Sequence, residues 1–246
     1  WYDIYTMRAA YDIKPESRQH LPEWFKVKMP GGPNFIDIHR LLRNSALHTV
    51  CEEAHCPNIG ECWENRSATF MILGDICTRA CRYCAVTSGR PLALDVYEPI
   101  RLARTVEKLG LKYCVITSVD RDDIADGGAY VFAECIHRIR EKLPDCSIEV
   151  LIPDFQGHKS ALDKVMAANP DVLNHNIETV DRIFHSVRPK GNYERSIQLL
   201  ANAKEINPDA VTKSGMMVGL GEEWDEIIRT MKDLHSVGCD LLTIGQ

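Results

Sequence analysis

Thr69-Phe-Met-Ile-Leu-Gly-Asp-Ile-Cys-Thr-Arg-Ala-Cys-Arg-Tyr-Cys84 joins a strand-like apolar run to three cysteines spaced Cys77-x3-Cys81-x2-Cys84. A second triplet, Cys51-x4-Cys56-x5-Cys62, precedes it, so six of the ten cysteines fall between positions 51 and 84. Thiolates are soft ligands that suit zinc, Cu(I) or iron–sulfur clusters. Structural zinc takes four ligands, usually in close pairs, and neither triplet offers that set. A disulfide framework is disfavoured as well, because a chain of this length needs no stapling and the cysteines crowd rather than spread. A triplet suits a cubane cluster with three irons held by protein and the fourth open to a substrate or cofactor. The other four, Cys114, Cys135, Cys146 and Cys239, read as small core hydrophobes or incidental residues.

Outward from this stretch the chain alternates regularly. Strands are expected at Thr69–Ile76, Lys112–Ser118, Ser147–Ile152, Val172–Ile177, Ala210–Val218 and Asp240–Gly245. Helices are expected between them at Tyr97–Leu109, Ala129–Leu143, Gly157–Ala168, Tyr193–Ile206 and Glu222–Val237. In Ala129–Leu143 the residues Phe132, Cys135, Ile136, Ile139 and Leu143 recur on one face. Such βα units build a parallel sheet with right-handed crossovers and helices outside. Six units do not close an eight-stranded barrel, so the expected fold is α/β, a partial (βα)6 barrel over 69–246. Its site is expected at the C-terminal ends of the strands. Residues 1–68 form an N-terminal extension: a Pro- and Gly-punctuated arm with a short helix near Tyr5–Tyr11, a helix at Ile36–Leu47, and the first cysteine triplet.

The chain has 246 residues, 45% of them hydrophobic, and a net charge of −6 without long runs of one sign. That composition is globular and lacks the basic face nucleic acid asks for. No run of about 18 apolar residues marks a membrane span. Trp1–Asp12 lacks the apolar core of a signal peptide. Free thiols at this density point to a reducing compartment. The expected setting is the cytoplasm, or a mitochondrial or plastid interior if a leader preceded Trp1.

The C-x3-C-x2-C spacing, with Tyr83 before the last cysteine at the end of a first barrel strand, resembles the radical S-adenosylmethionine superfamily. A narrower match runs through Cys51-Glu-Glu-Ala-His-Cys-Pro-Asn-Ile-Gly-Glu-Cys62, Phe70-Met-Ile-Leu-Gly-Asp75 and Cys77-Thr-Arg-Ala-Cys-Arg-Tyr-Cys84. It continues through Thr117-Ser-Val-Asp-Arg-Asp-Asp123, Asn174-His-Asn-Ile-Glu-Thr179 and Lys213-Ser-Gly-Met-Met-Val-Gly-Leu-Gly-Glu222. These motifs, in this order over roughly residues 22 to 246, resemble the lipoyl synthases.

The resemblance implies insertion of two sulfur atoms, at C6 and C8, into an octanoyl chain carried on a lysine. It implies two [4Fe–4S] clusters and S-adenosyl-L-methionine. One cluster, on Cys77, Cys81 and Cys84, binds and reduces S-adenosylmethionine, giving a 5′-deoxyadenosyl radical that takes hydrogen from the chain. The other, on Cys51, Cys56 and Cys62, is the sulfur source. Implied cofactor contacts are Asn176 and Glu178 at the ribose, Arg195 at the methionine carboxylate, Ser118 and Asp120 at its amino group, and Gly219 and Gly221 at the adenine. Read without the resemblance, Arg195 is a surface charge, Gly219 and Gly221 a plain turn, and His39, His48 and His55 neighbours of the first triplet. Implied partners are an octanoylated lipoyl carrier domain or glycine-cleavage H protein and an electron donor such as ferredoxin or flavodoxin. Neither nucleic acid nor membrane is implied, and a monomer is expected. A biotin-synthase-like or methylthiotransferase-like enzyme would share Cys77-x3-Cys81-x2-Cys84 but not Cys51-x4-Cys56-x5-Cys62. An iron–sulfur electron carrier would lack the nucleoside-binding residues. The family's Arg-Ser-Ser-Tyr motif, whose serine completes the auxiliary cluster, has no counterpart up to Gln246.

Overall fold

Alternating burial along the strands decides how the sheet curls. The computed structural model describes residues 29–43, 47–53, 56 and 58–245. The helix expected near residues 5–11 and His55 lie outside them. The N-terminal part contains α1 (Pro33–Arg43), β1 (His48–Thr49), α2 (Val50–Glu53) and α3 (Ile59–Glu64). The barrel begins with β2 (Ser67–Ile72), followed by two short strands, β3 (Ile76–Cys77) and β4 (Thr87–Ser88). Then come α4 (Glu98–Leu109), β5 (Tyr113–Ser118), α5 (Ala129–Lys142), β6 (Ser147–Leu151), α6 (Lys159–Ala167) and β7 (Val172–Asn174). The chain continues through α7 (Asp181–Val187), α8 (Tyr193–Ile206), β8 (Val211–Met217), α9 (Trp224–Ser236) and β9 (Leu241–Gly245).

The main sheet runs β1-β2-β5-β6-β7-β8-β9. β1 is antiparallel to β2, and the other six strands pair in parallel in chain order. This is the open barrel expected of six βα units. Phe70, Ile116, Val150 and Leu173 are consecutive Cα partners across four strands, and all are buried. They face helices that bury Leu102 and Val106 on α4, Phe132, Ile136 and Ile139 on α5, and Leu162 and Val165 on α6. The dry core therefore lies between sheet and helices. The opposite, concave face carries Met71, Thr117, Leu151, Asn174 and Lys213 in a single register row. Among the described residues no helix is long and apolar enough to cross a membrane.

Two strands end sooner than periodicity predicts. β2 stops at Ile72 because Leu73 and Gly74 take positive φ angles of 71° and 93°. Side chains replace the ladder there: the Leu73 amide donates to Glu98 Oε2 at 2.8 Å, and Arg121 Nη1 donates to the Leu73 carbonyl at 3.1 Å. β7 stops at Asn174, and a single bridge between Glu178 and Met216 ties the following segment to β8. The seven-residue α7 was not expected; two turns are too short to declare a helical period. Cys114, Cys135 and Cys146 are buried in the core and Cys239 is half-buried, as their composition reading implied.

After β6 the backbone is strained. Phe155 and Gln156 hold φ angles of 44° and 54°, which side-chain-bearing residues rarely adopt. Phe155 packs edge-on against Phe132, with ring centroids 6.4 Å apart. Gly127 makes this possible: its φ is +60°, and a methyl added there would lie 2.9 Å from the Phe155 ring. Gly127→Ala is therefore expected to cost about 1–3 kcal/mol through αL strain and overpacking. Urea unfolding measures it; an unchanged midpoint would show that this contact does not hold the loop.

Candidate functional site

The cysteine loop after β2 is fastened to the loop after β5 by its own backbone. The Thr78 amide and hydroxyl both donate to the Asp120 carbonyl, at 3.0 and 2.9 Å, and the Asp122 amide returns a bond to Thr78 Oγ1 at 3.0 Å. β3 and β4 pair Cys77 with Ser88 and close the loop from the other side. Ser88 Oγ donates to the Arg79 carbonyl at 2.8 Å, and the Arg82 amide donates to the Val187 carbonyl at 3.0 Å. A C-x3-C-x2-C segment is too short and polar to fold alone, so these bonds fix its shape.

Arg79, inside the C-x3-C spacing, is buried and turns into the barrel wall. Its guanidinium grips Asp122 bidentately, at 2.8 and 2.7 Å, and donates to Asp154 Oδ1 at 2.6 Å. Arg195 Nη1 reaches the other oxygen of Asp154 at 3.0 Å. Burial pulls the Arg79 pKa down, but bonds to Asp122 and the charges of Asp120 and Asp154 outweigh it and raise the value. Burial likewise raises Asp154, yet the bonds from Arg79 win and hold its carboxyl well below the usual range. Both groups are therefore charged at neutral pH.

Cys77, Cys81 and Cys84 line one cavity of about 280 Å³ at the C-terminal ends of the strands. Its other walls include Met71, Val86, Thr117, Ser118, Asp120, Leu151, Ile152, Asn176, Glu178 and Arg188. Burial raises the Cys77 thiol, while the Arg79 and Asp120 amides pull it down through N–H···S bonds of 3.4 and 3.3 Å. Burial also raises Cys81, against the opposing charge of Arg188. Among the described residues no three His, Cys, Asp or Glu side chains converge to hold one metal ion. A cubane asks for something different, one thiolate per iron, and three thiols spread around a cavity fit that demand.

Polar valences stand open in the same walls. Ser118 Oγ and Arg188 Nε are buried without a hydrogen-bond partner. Asp120 Oδ1 has none either, although Arg79 Nε stands 3.4 Å away. Burial raises the carboxyls of Asp120 and Glu178, partly offset in Asp120 by Arg79 and Arg188 and in Glu178 by Arg188. Asn176 and Tyr83 hydrogen-bond to Glu178. A side chain at Gly215 would collide with Asn176 Oδ1 at 2.7 Å, so glycine leaves that amide its space. A small ligand with an ammonium, a carboxylate and hydroxyls matches this set of partners.

The first triplet lies on the N-terminal elements that pack beside β2. Cys51 lies on α2, Cys62 on α3, and Cys56 between them, its amide bonded to the Cys51 carbonyl at 3.1 Å. The Cys62 thiol is raised by burial and then by the charges of Cys51 and Cys56. Val50, next to Cys51, lines the main cavity. Packing of Phe35 on the buried Trp63, with centroids 5.1 Å apart, seats α1 against α3. His39 approaches Glu52 at 3.8 Å.

Of the expected cofactor contacts, the structure brings Ser118, Asp120, Asn176 and Glu178 to the cavity. Asn176 and Glu178 lie beyond the end of β7, and Glu178 has a φ of 68°. Arg195 does not line the main cavity: it borders a separate cavity with Lys159 and Gln198, and its charge is engaged by buried Asp154. Arg188, which the sequence reading did not single out, is the buried cation that lines the main cavity. Gly219 and Gly221 have the expected positive φ, 100° and 105°, but do not line the cavity. Their loop closes on Glu222, whose carboxylate accepts from the amides of Gly219 and Leu220.

Comparison with known proteins fits this geometry. A model of the radical S-adenosylmethionine superfamily matches residues 71–234, and a model of the N-terminal domain of lipoyl synthase matches residues 5–56. A lipoyl synthase of Roseiflexus sp. strain RS-1 is 57% identical over 237 residues, 96% of this chain and 79% of that protein. One from Rubrobacter xylanophilus is 56% identical over 229 residues, 93% of this chain and 71% of that protein. Among solved structures, methylornithine synthase aligns with a TM-score of 0.55 at 15% identity, covering 84% of this chain and 58% of that one. A maturase of the [FeFe]-hydrogenase aligns with a TM-score of 0.59 at 16% identity, covering 73% and 42%. At such identities the structures speak for the fold alone.

Two measurements test how the site is held. Asp154→Asn leaves Arg79 short of a buried counter-charge and is expected to cost about 3–5 kcal/mol of stability; an unchanged denaturation midpoint would discount the network. His175 gives a pH signature. It is buried, donating from Nδ1 to the Ile152 carbonyl at 2.8 Å and accepting at Nε2 from Ser196 Oγ at 3.0 Å. Burial, then the Arg188 charge, lower its pKa from 6.5 to about 4. The unfolded chain binds that proton more readily, so stability is complete above about pH 6.5 and falls from there to about pH 4, by roughly 3 kcal/mol. His175→Asn should flatten the fall in that window. A parallel pH dependence in both proteins would remove His175 as its source.

Proposed function

The chain belongs to the lipoyl synthase family of the radical S-adenosylmethionine superfamily, and on that premise we propose how its residues divide the work. The enzyme inserts sulfur at C6 and C8 of a protein-bound octanoyl chain. When bound, a [4Fe–4S] cluster and S-adenosylmethionine would supply the radical hydrogen abstraction, and an auxiliary [4Fe–4S] cluster would supply the sulfur. Such chemistry on unactivated C–H bonds lies beyond ordinary side-chain acids and bases.

Cys77, Cys81 and Cys84 hold the first cluster, and Cys51, Cys56 and Cys62 hold the auxiliary one. The observation that carries this reading is the shared cavity, where three thiols meet the open valences of Ser118, Asp120 and Arg188. Asp120 and Ser118 receive the methionine ammonium. Arg188, rather than Arg195, takes the methionine carboxylate; its buried planar fork is suited to that group. Asn176 and Glu178 receive the ribose hydroxyls. Met71, Val86, Leu151 and Ile152 wall the remaining space with apolar surface and keep water from the reaction. The carrier is a lipoyl domain or glycine-cleavage H protein, and a ferredoxin or flavodoxin supplies electrons.

Anaerobic reconstitution is expected to load about eight irons per chain, four on each triplet. Alanine at Cys77, Cys81 or Cys84 should abolish S-adenosylmethionine cleavage. Alanine at Cys51, Cys56 or Cys62 should leave cleavage and stop sulfur insertion. Equal loss of cleavage in both sets of folded variants would sink the division of labour. Arg188→Met should weaken S-adenosylmethionine binding by about 1.5–3 kcal/mol, the range for hydrogen bonds to a charged group. If Arg195→Met weakened it instead while Arg188→Met did not, the carboxylate assignment would revert to Arg195.

A further inference from the structure

We propose that an ion-paired layer inside the barrel, Glu149 with Lys213, Asn174 and Tyr113, is the floor that sets acyl-chain length; the proposal rests on the lipoyl synthase reading above. Glu149 is buried and accepts four bonds. They come from Tyr113 Oη at 2.5 Å, Asn174 Nδ2 at 2.8 Å, and Lys213 Nζ at 2.9 Å and 3.1 Å. The layer adjoins the apolar cavity directly. Leu151, which lines that cavity, is two residues from Glu149 on the same strand face and is the Cα partner of Asn174. Asn174 is in turn the Cα partner of Lys213. On the other side, Val211, one pleat below Lys213, is exposed. The layer therefore stands between the cavity and solvent at the lower end of the barrel.

An ion pair that buries its carboxylate seldom outperforms apolar packing in stability, so its place here, with Glu149 buried and Lys213 half-buried, calls for another reason. Asn174 Oδ1 is moreover buried without a partner, which apolar packing would avoid. The reaction provides the reason. Both reacting carbons belong to the last three of the octanoyl chain, so the chain's tip must lie at the cavity, and whatever lies past the tip is what a longer chain would meet. A methylene pushed against Glu149 and Lys213 takes water or partners from charges without replacing them. Eight carbons then fit, and further carbons are refused by the polarity of the floor as well as by its volume.

The test uses the cluster-loaded enzyme with octanoyl-lysyl and decanoyl-lysyl carrier domains. Glu149→Gln/Lys213→Ala neutralises both charges and opens the floor; Asn174→Ala opens it at cavity level and keeps the pair. Dissociation constants of both carriers and kcat/KM for sulfur insertion are measured for each protein. The double variant should lose about 10-fold or more of the octanoyl-over-decanoyl preference, the low end of what one or two methylenes are worth in a fitted pocket. Asn174→Ala should move it the same way. An unchanged preference in variants that still unfold cooperatively overturns the floor and leaves the network a structural one. If the double variant does not fold, Asn174→Ala decides by the same criterion. A wild-type enzyme that converts no octanoyl carrier fails the functional reading and the floor with it, whereas normal octanoyl turnover with an unmoved preference fails the floor alone.

Discussion

The contact between Arg79 and Asp154 is the constraint on which the site depends. It joins residues 75 apart in sequence, and neither side chain keeps appreciable contact with water. Arg79 lies inside the C-x3-C spacing, so wherever its guanidinium is fixed the cysteines are fixed too. Asp154 lies one residue before the strained Phe155, so the backbone cost after β6 is coupled to where this carboxylate stands. A lone buried charge on either side would be expensive. The pair persists because Asp120, Asp122 and Arg195 complete the set, giving two cations and three anions in one connected group. Removing one member leaves its partner uncompensated in the interior, which is why this is a rigid anchor and not an adaptable one.

Around that anchor the sheet divides its labour between faces. The outward row is apolar and packs against α4, α5 and α6, supplying the cohesion that lets the barrel remain open. The inward row need not be apolar for stability, and it mixes Met71 and Leu151 with Thr117, Asn174 and Lys213. A barrel filled with side chains would leave no room for a long substrate and a nucleoside cofactor. Here the interior is kept free at the top and closed lower down by hydrogen-bonded charge. Pairing of β1 with β2 brings α2 alongside, so that Val50, next to Cys51, lines the cavity.

Much of this was legible in the sequence, for identifiable reasons. Period-two and period-3.6 patterns persist wherever one face meets the dry core, so the six long strands and five helices could be read, with α8 at Tyr193–Ile206 to the residue. Boundaries failed where tertiary bonds replaced the ladder, as at Leu73, whose partners Glu98 and Arg121 lie far along the chain. The cysteines were readable because their chemistry depends on spacing. Arg188 was not: it caps the short α7, and nothing local distinguishes it from Arg195. What separates them is Asp154, 41 residues from Arg195, which engages one cation and leaves the other with an open valence. Only the fold carries that information.

The electrostatics of the cavity point in the same direction as its shape. Asp120 and Glu178 are buried carboxyls whose pKa values rise through desolvation, and Arg188 faces them as the nearby cation. Within the protein alone this is an incomplete arrangement, since Asp120 Oδ1, Ser118 Oγ and Arg188 Nε remain unpartnered. Folding does not favour such vacancies, because each costs its full desolvation without a bond in return. On the proposed reading an amino-acid head group relieves them in pairs, its ammonium at the acidic side and its carboxylate at the guanidinium. A ligand of single charge would satisfy one side and leave the other as it was. On the proposed reading, selectivity for an amino-acid cofactor rests on having both signs buried together, beside apolar walls that keep water from the same bonds.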